Sequence, residues 1–220
     1  IGKILRSLED AGLADDTRVV YTSDHGDNMG TRGLWGKSTM FEETAAVPLI
    51  MAGEGIPRGE RIETPVSHVD VYPFILDAVG NNEPALREGF PGTSLFDLAQ
   101  GKTPDRNVLV EYHGMGSTTG AFMIRHGKYK YVHYIGYPAQ LFDLEADPEE
   151  LTDLAANARY AAVMDECRGR LQAICDPDEV DQRAKARQAQ QLATHGGADA
   201  VIARGDLGFT PAPGAVVAFD

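Results

Sequence analysis

The sequence predicts an α/β chain: the edge of a doubly wound sheet, followed by a small antiparallel subdomain with a packed helix. Three observations carry this. Residues 1–80 read as helix, strand, polar loop, strand, helix. Residues 107–144 hold four short strand-like runs separated by Gly-containing turns. Tyr160, Val163, Met164, Cys167, Leu171 and Ile174 then recur at helical spacing, giving an amphipathic helix that can pack on the strands.

Taken in order, Ile1, Ile4, Leu5, Leu8 and Ala11 mark a first helix, and Gly12 supplies its stop. Arg18 to Thr22 is β-branched and aromatic and reads as a buried parallel strand. Ser23-Asp24-His25-Gly26-Asp27 follows at once, so these polar groups sit past the strand's C-terminal end, where open α/β sheets bind ligands. Ala46 to Ala52 reads as a second buried strand, with Pro48 marking an edge or bulge. Asp70 is placed to cap a helix whose apolar face is Val71, Phe74, Ile75, Ala78 and Val79, ended by Gly80. Residues 81–106 have the texture of a connecting loop. The strands expected after it are Asn107 to Tyr112, Ala121 to Arg125, Lys128 to Tyr134 and Gln140 to Leu144. The small subdomain so defined covers 107–177. Residues 178–220 form a polar helix to about Ala193 and a Gly-, Ala- and Pro-rich tail from Gly205. That tail builds no core and is expected to lie on another surface, so a homo-oligomer through the C-terminal tail is anticipated.

Composition narrows the function. The chain has 220 residues, 43% hydrophobic and 24% charged, and 20 basic against 33 acidic residues give a net charge of −13. Nucleic acid and anionic membranes attract the opposite sign, so neither is an expected partner. No apolar run approaches the roughly 18 residues that span a bilayer. Two cysteines, Cys167 and Cys175, make no disulfide framework. With the acidic composition they lean towards a reducing compartment, the cytoplasm.

Asp24-His25-Gly26 is the leading chemical motif. A carboxylate and an imidazole side by side can reach one divalent cation if the backbone turns sharply between them, and Gly26 relieves the crowding. The alternative is a capping Asp beside a surface His. Lys37 follows twelve residues after His25, in Gly33-Leu34-Trp35-Gly36-Lys37. A lysine over a metal site can bind a non-bridging oxygen of a sulfuryl or phosphoryl group and stabilise developing charge. A solvated surface lysine is the alternative. His68 precedes the Asp70 cap. Glu111, Tyr112 and His113 end a strand and could line a pocket.

The string Tyr-Thr-Ser-Asp-His-Gly-Asp-Asn-Met-Gly from Tyr21, with Gly-Leu-Trp-Gly-Lys-Ser-Thr-Met-Phe-Glu-Glu and Val-Pro-Leu-Ile after it, resembles the sulfatase family of the alkaline-phosphatase superfamily. Within the family it is most similar to the choline sulfatase and phosphonate monoester hydrolase branch, which has Asp-His where typical arylsulfatases have Asp-Asn. Val66 to Pro73, Gln140 to Leu144, and Asp147-Pro148-Glu149-Glu150 with Asp153-Leu154 extend the resemblance to about residue 156. It implies an alkaline-phosphatase-like sheet and Asp24 and His25 as ligands of one divalent ion, calcium or manganese. It also implies Lys37 as the catalytic residue binding the oxyanion of a small sulfate ester.

The family's nucleophile is a formylglycine made from Cys-x-Pro-x-Arg, and neither cysteine fits. Cys167 precedes Arg168-Gly169-Arg170, and Cys175-Asp176-Pro177-Asp178-Glu179 has Glu in place of Arg. The expectation is therefore a C-terminal fragment of a sulfuric-ester hydrolase, inactive alone, with formylglycine in the missing N-terminal part. Phosphonate monoester or phosphodiester hydrolysis is the near rival, and a non-catalytic oligomerisation module the distant one.

Overall fold

The computed structural model describes residues 1–81, 83–103, 105–114 and 117–205. The first half contains α1 (Gly2–Asp10), β1 (Val19–Thr22), α2 (Glu42–Ala45), β2 (Leu49–Ala52), α3 (Val71–Ala78) and α4 (Leu95–Ala99). The second half contains β3 (Asn107–Tyr112), β4 (Ala121–His126), β5 (Tyr129–Tyr134), β6 (Tyr137–Asp143), α5 (Ala161–Ile174), α6 (Pro177–Thr194) and α7 (Ala198–Arg204). Among the described residues no helix is long and apolar enough to cross a membrane.

β1 and β2 form a two-stranded antiparallel ribbon, Val19 opposite Ala52 and Thr22 opposite Leu49. This corrects the buried parallel strand expected at 18–22. The link between the two strands contains only short turns, a 3-10 turn at Thr31–Gly33 and the single turn α2, and no crossover helix, so the chain reverses and the strands run opposite ways. Both strands are also partly exposed. Pro48 falls just before β2, where its missing N–H costs no ladder bond.

One face of the ribbon is covered by α3 and α4: Phe74, Leu95 and Leu98 are buried against Val20, Leu49 and Met51. Residues 81–106, expected as loop, thus contribute two core leucines. The buried side of α3 is Pro73, Phe74 and Leu76, whereas Ile75 and Val79 of the expected apolar face are exposed.

The second half is a four-stranded antiparallel sheet in sequential order β3-β4-β5-β6. Strand alternation assigns each side chain a face. Phe122, Ile124, Tyr131 and Leu141 meet Cys167 and Leu171 of α5. Ala121, Met123 and Val132 face the other way and pack with Met40 and Ala45 of the first half. The sheet is therefore covered on both sides, by its own helix and by the segment that follows the polar loop. On the second face Arg125 and Lys130 are cross-strand partners. Burial pushes the Cys167 thiol up to about 11, so it is a packing group and not a thiolate nucleophile.

α6 begins on Asp176, whose carboxylate accepts the N–H groups of Asp178 and Glu179, with Pro177 in the first helical position. Cys175-Asp176-Pro177 is thus a helix start. The helix is fastened by Asp181, which is 4% exposed. Its Oδ1 accepts the Gly120 N–H at 2.7 Å, and its other oxygen meets Lys185 at 2.7 Å. The Lys185 bond first, helped by Gly120, holds the carboxyl below the usual range against desolvation. Such a depressed group stabilises the fold above its unfolded value of about 4 and loses that contribution as pH falls through the folded value. Asp181→Ala should destabilise the fold by about 1–3 kcal/mol at pH 7, because the Gly120 N–H loses its acceptor. Denaturant titration should show the gap narrowing as pH falls below the unfolded value and through the folded one, whereas a gap constant with pH would remove the carboxylate from this account.

Candidate active site

The loop after β1 is shaped by its own polar groups. Ser23 Oγ donates to the His25 carbonyl at 2.8 Å, and the His25 N–H donates to Asp24 Oδ1 at 3.0 Å. These local bonds turn the chain sharply between Asp24 and His25. Gly26 then donates its N–H to the Thr44 carbonyl at 3.0 Å. A Cβ at Gly26 would stand 2.0 Å from the Glu43 carbonyl oxygen, so only glycine lets the loop lie on α2.

The His25 ring is fixed by the same contact. Nδ1 lies 2.7 Å from the Gly26 carbonyl, which can only accept, so Nδ1 carries the proton and Nε2 presents a lone pair. That is the tautomer a metal-ligating histidine adopts when a backbone carbonyl holds its other nitrogen. Asp24 Oδ2 lies 3.5 Å from His25 Nε2. Two ligand atoms about 2.4 Å from one cation and at right angles stand about 3.4 Å apart, so the pair fits two cis positions of a calcium-sized ion. Desolvation by the loop raises the Asp24 carboxyl, but the bond from the His25 N–H and the Lys37 charge outweigh it and bring it below the ordinary value.

Lys37 arrives from a second loop. Asn28 is fully buried, and its N–H and Nδ2 both donate to the Gly36 carbonyl, at 2.8 and 2.9 Å. This closes residues 28–36 into a compact turn, with left-handed φ at Gly30 and Gly36. Arg32, also left-handed, pairs with Glu43 at 2.7 Å, lies over the Phe41 ring and donates to the Glu149 carbonyl. Tyr112 Oη donates to Ser38 Oγ at 2.7 Å on the far side of Lys37. So held, Lys37 Nζ donates to the His25 Nε2 lone pair at 2.6 Å. The three predicted site residues therefore converge.

Other expectations fare differently. Asp70 is buried but makes no side-chain cap on α3. It closes a capping box one turn earlier, accepting the Ser67 N–H at 2.7 Å, and it also binds the Thr93 N–H and Arg106. The correction has a simple cause: a 3-10 turn at His68–Asp70 precedes α3, so the helical start lies at Ser67. His68 is exposed on that turn. Tyr112 reaches the Lys37 loop, whereas His113 packs edge-on against Phe122 near α6. Among the described residues no group of three or more His, Cys, Asp or Glu is placed to hold a metal. Asn28 and Arg32 were missed from sequence. Only their place between His25 and Lys37 pointed to them.

Comparison with known proteins bears on this pair. The family model described as Sulfatase matches residues 1–81, which include Asp24, His25 and Lys37. The choline-sulfatase of Rhizobium meliloti (strain 1021) is 43% identical over 159 residues, covering 72% of this chain and 31% of that protein. The chain belongs to the sulfatase family. Arylsulfatase K of Gallus gallus is another relative, 36% identical over 167 residues, 70% of this chain and 31% of its own length. The sulfatase chain thus spans about a third of the length of the curated relatives it matches. Among solved structures, the phosphonate monoester hydrolase of Agrobacterium radiobacter superposes with a TM-score of 0.64 at 29% identity, over 78% of this chain and 37% of that one. The sulfatase chain accordingly has the alkaline-phosphatase-like fold.

Proposed function

We propose that the chain is the C-terminal part of an enzyme that hydrolyses sulfate monoesters. In this reading Asp24 and His25 hold one divalent ion, calcium or manganese, and Lys37 binds a sulfuryl oxygen. The carrying observation is the His25 ring, whose Nδ1 is taken by the Gly26 carbonyl while Nε2 faces Asp24 and Lys37. The ion, when bound, neutralises charge on the sulfuryl group. Lys37 supplies a second positive charge where the leaving group departs. Asp24 and His25 orient the site, and Asn28 and Arg32 keep Lys37 within reach of it. The nucleophile, a formylglycine in this reading, is supplied from outside these residues. Cys167 is buried and Cys175 leads into the α6 cap.

Phosphonate ester hydrolysis is the second reading, favoured by the likeness to the phosphonate monoester hydrolase. Both substrates present a tetrahedral anionic centre to the same lysine. The polar end of the chain supports a homo-oligomer, since Leu192 on α6 and Ile202 on α7 are exposed. The tail expected to make that contact lies, from residue 206 on, outside the described residues. The two free thiols fit a cytoplasmic location.

The test uses the complete protein, matured in its own host, with an aryl sulfate and an aryl phosphonate ester, each with and without a chelator. Chelator-sensitive preference for the sulfate is the expected result, with no turnover from the 220-residue chain alone. Preference for the phosphonate would change the substrate class. No turnover of either would move the reading to a non-catalytic oligomerisation module.

A further inference from the structure

The face of the antiparallel sheet that meets the site segment carries two cations where burial favours apolar groups. Arg125 and Lys130 are direct cross-strand partners, and like charges so placed repel. Lys130 is fully buried. The offsetting acid comes from two distant parts of the chain. Glu42, the first residue of α2, places Oε1 2.9 Å from Lys130 Nζ. Glu150, in the turn after β6, places Oε1 2.7 Å from the same nitrogen, a close charge contact not aligned as a hydrogen bond. Its other oxygen accepts the Glu42 N–H at 2.7 Å. Glu150 holds φ at 53°, a left-handed conformation that a non-glycine residue keeps only when its surroundings enforce it.

This cluster grips α2, and α2 is the surface on which the ligand loop rests. The Thr44 carbonyl takes the Gly26 N–H, and the Glu43 carbonyl fills the space a Gly26 side chain would need. Gly26 in turn orients the His25 ring through its own carbonyl. Arg32 makes a parallel link, from the loop between His25 and Lys37 to Glu43 and the Glu149 carbonyl. A displacement of α2 therefore reaches the imidazole through one residue.

We propose that Lys130 and Glu150 are positioning residues for the Asp24–His25 pair, acting through α2 and Gly26. The inference rests on the metal-site reading above. A buried charge cluster that merely held the two halves together would affect stability and leave ligand geometry alone; buried pairs are in any case poor sources of net stability.

The experiment compares Mn2+ affinity, read by the electron paramagnetic resonance of free Mn2+, with melting temperature. The complete protein is tested as wild type, Lys130→Met, Lys130→Arg, Glu150→Gln and, as a control in the core under α5, Leu171→Ala. Lys130→Met and Glu150→Gln should weaken Mn2+ binding by about tenfold or more, the range set by groups that orient metal ligands. Lys130→Arg should recover most of the affinity. Leu171→Ala should lower the melting temperature with Mn2+ affinity within about twofold of wild type. Tight binding by the wild type with unchanged affinity in Lys130→Met and Glu150→Gln would overturn the inference alone. So would a loss that follows melting temperature on the same line as Leu171→Ala. A wild type that binds no Mn2+ would overturn the metal-site reading and this inference with it. If Lys130→Met does not fold, Glu150→Gln decides, because its amide oxygen still faces the Glu42 N–H.

Discussion

In the complete protein, the proposed metal site predicts that His25→Ala weakens Mn2+ binding by more than about 100-fold, beyond the range seen for groups that only orient ligands. The expectation follows from the ring's fixed tautomer. Nδ1 is spent on the Gly26 carbonyl, so Nε2 is the nitrogen available to a cation, 3.5 Å from the Asp24 carboxylate. Asp24→Ala should act in the same direction, because in the proposed site the two residues share one ion. The Asp24 side chain is 84% exposed and makes no core contact, so its removal should leave the melting temperature nearly unchanged. Turnover of the aryl sulfate should fall by about 1,000-fold in both, as expected when charge stabilisation at the reacting group is lost. Metal titration followed by turnover at saturating Mn2+ measures both effects. Wild-type metal affinity in either variant would remove the pair from the ligand set.

Lys37→Met gives the second large effect and a contrasting pattern. Its kcat should fall by about 100- to 1,000-fold, the loss typical of one donor aimed at developing charge. Metal affinity should hold or rise, because Lys37 Nζ rests 2.6 Å from the very nitrogen the metal would take. Removing the ammonium removes a competitor for that lone pair. A lysine that served only solubility would leave kcat unchanged. One that was structurally required would lower kcat together with melting temperature. Lys37 is exposed and its loop is held by Asn28, Arg32 and Tyr112, so thermal unfolding should match wild type.

The sequence made some of this visible and hid the rest for identifiable reasons. The four strands from 107 to 143 were readable because alternation and glycine turns are local signals, and their edges moved by at most about three residues. Helix α4 was not, because Leu95 to Ala99 is too short to display a helical period, although Leu95 and Leu98 are core residues. The sense of pairing between β1 and β2 was misread, since it depends on how a connection runs through space. In the site, Asp24, His25 and Lys37 were named from residue chemistry and family resemblance. Their convergence depends on bonds no pattern announces, such as both Asn28 donors on the Gly36 carbonyl. Lys130 was the hardest to foresee. A lysine in a strand ordinarily faces water, and the acids that bury this one lie 88 residues before it and 20 after it.

That separation also bears on how the protein comes into being. Closing a loop costs entropy that grows with its length, and contacts between distant residues form late. Glu42 meets Glu150 across 108 residues, and Arg32 meets Glu149 across 117. A ribosome adds residues at about 5–20 per second, so Asp24 and His25 wait several seconds in the nascent chain for the turn that fixes α2 beneath them. Until then Gly26 has no settled surface to lie on. The Asp24–His25 pair is among the first parts of this chain to be made and among the last to take its shape.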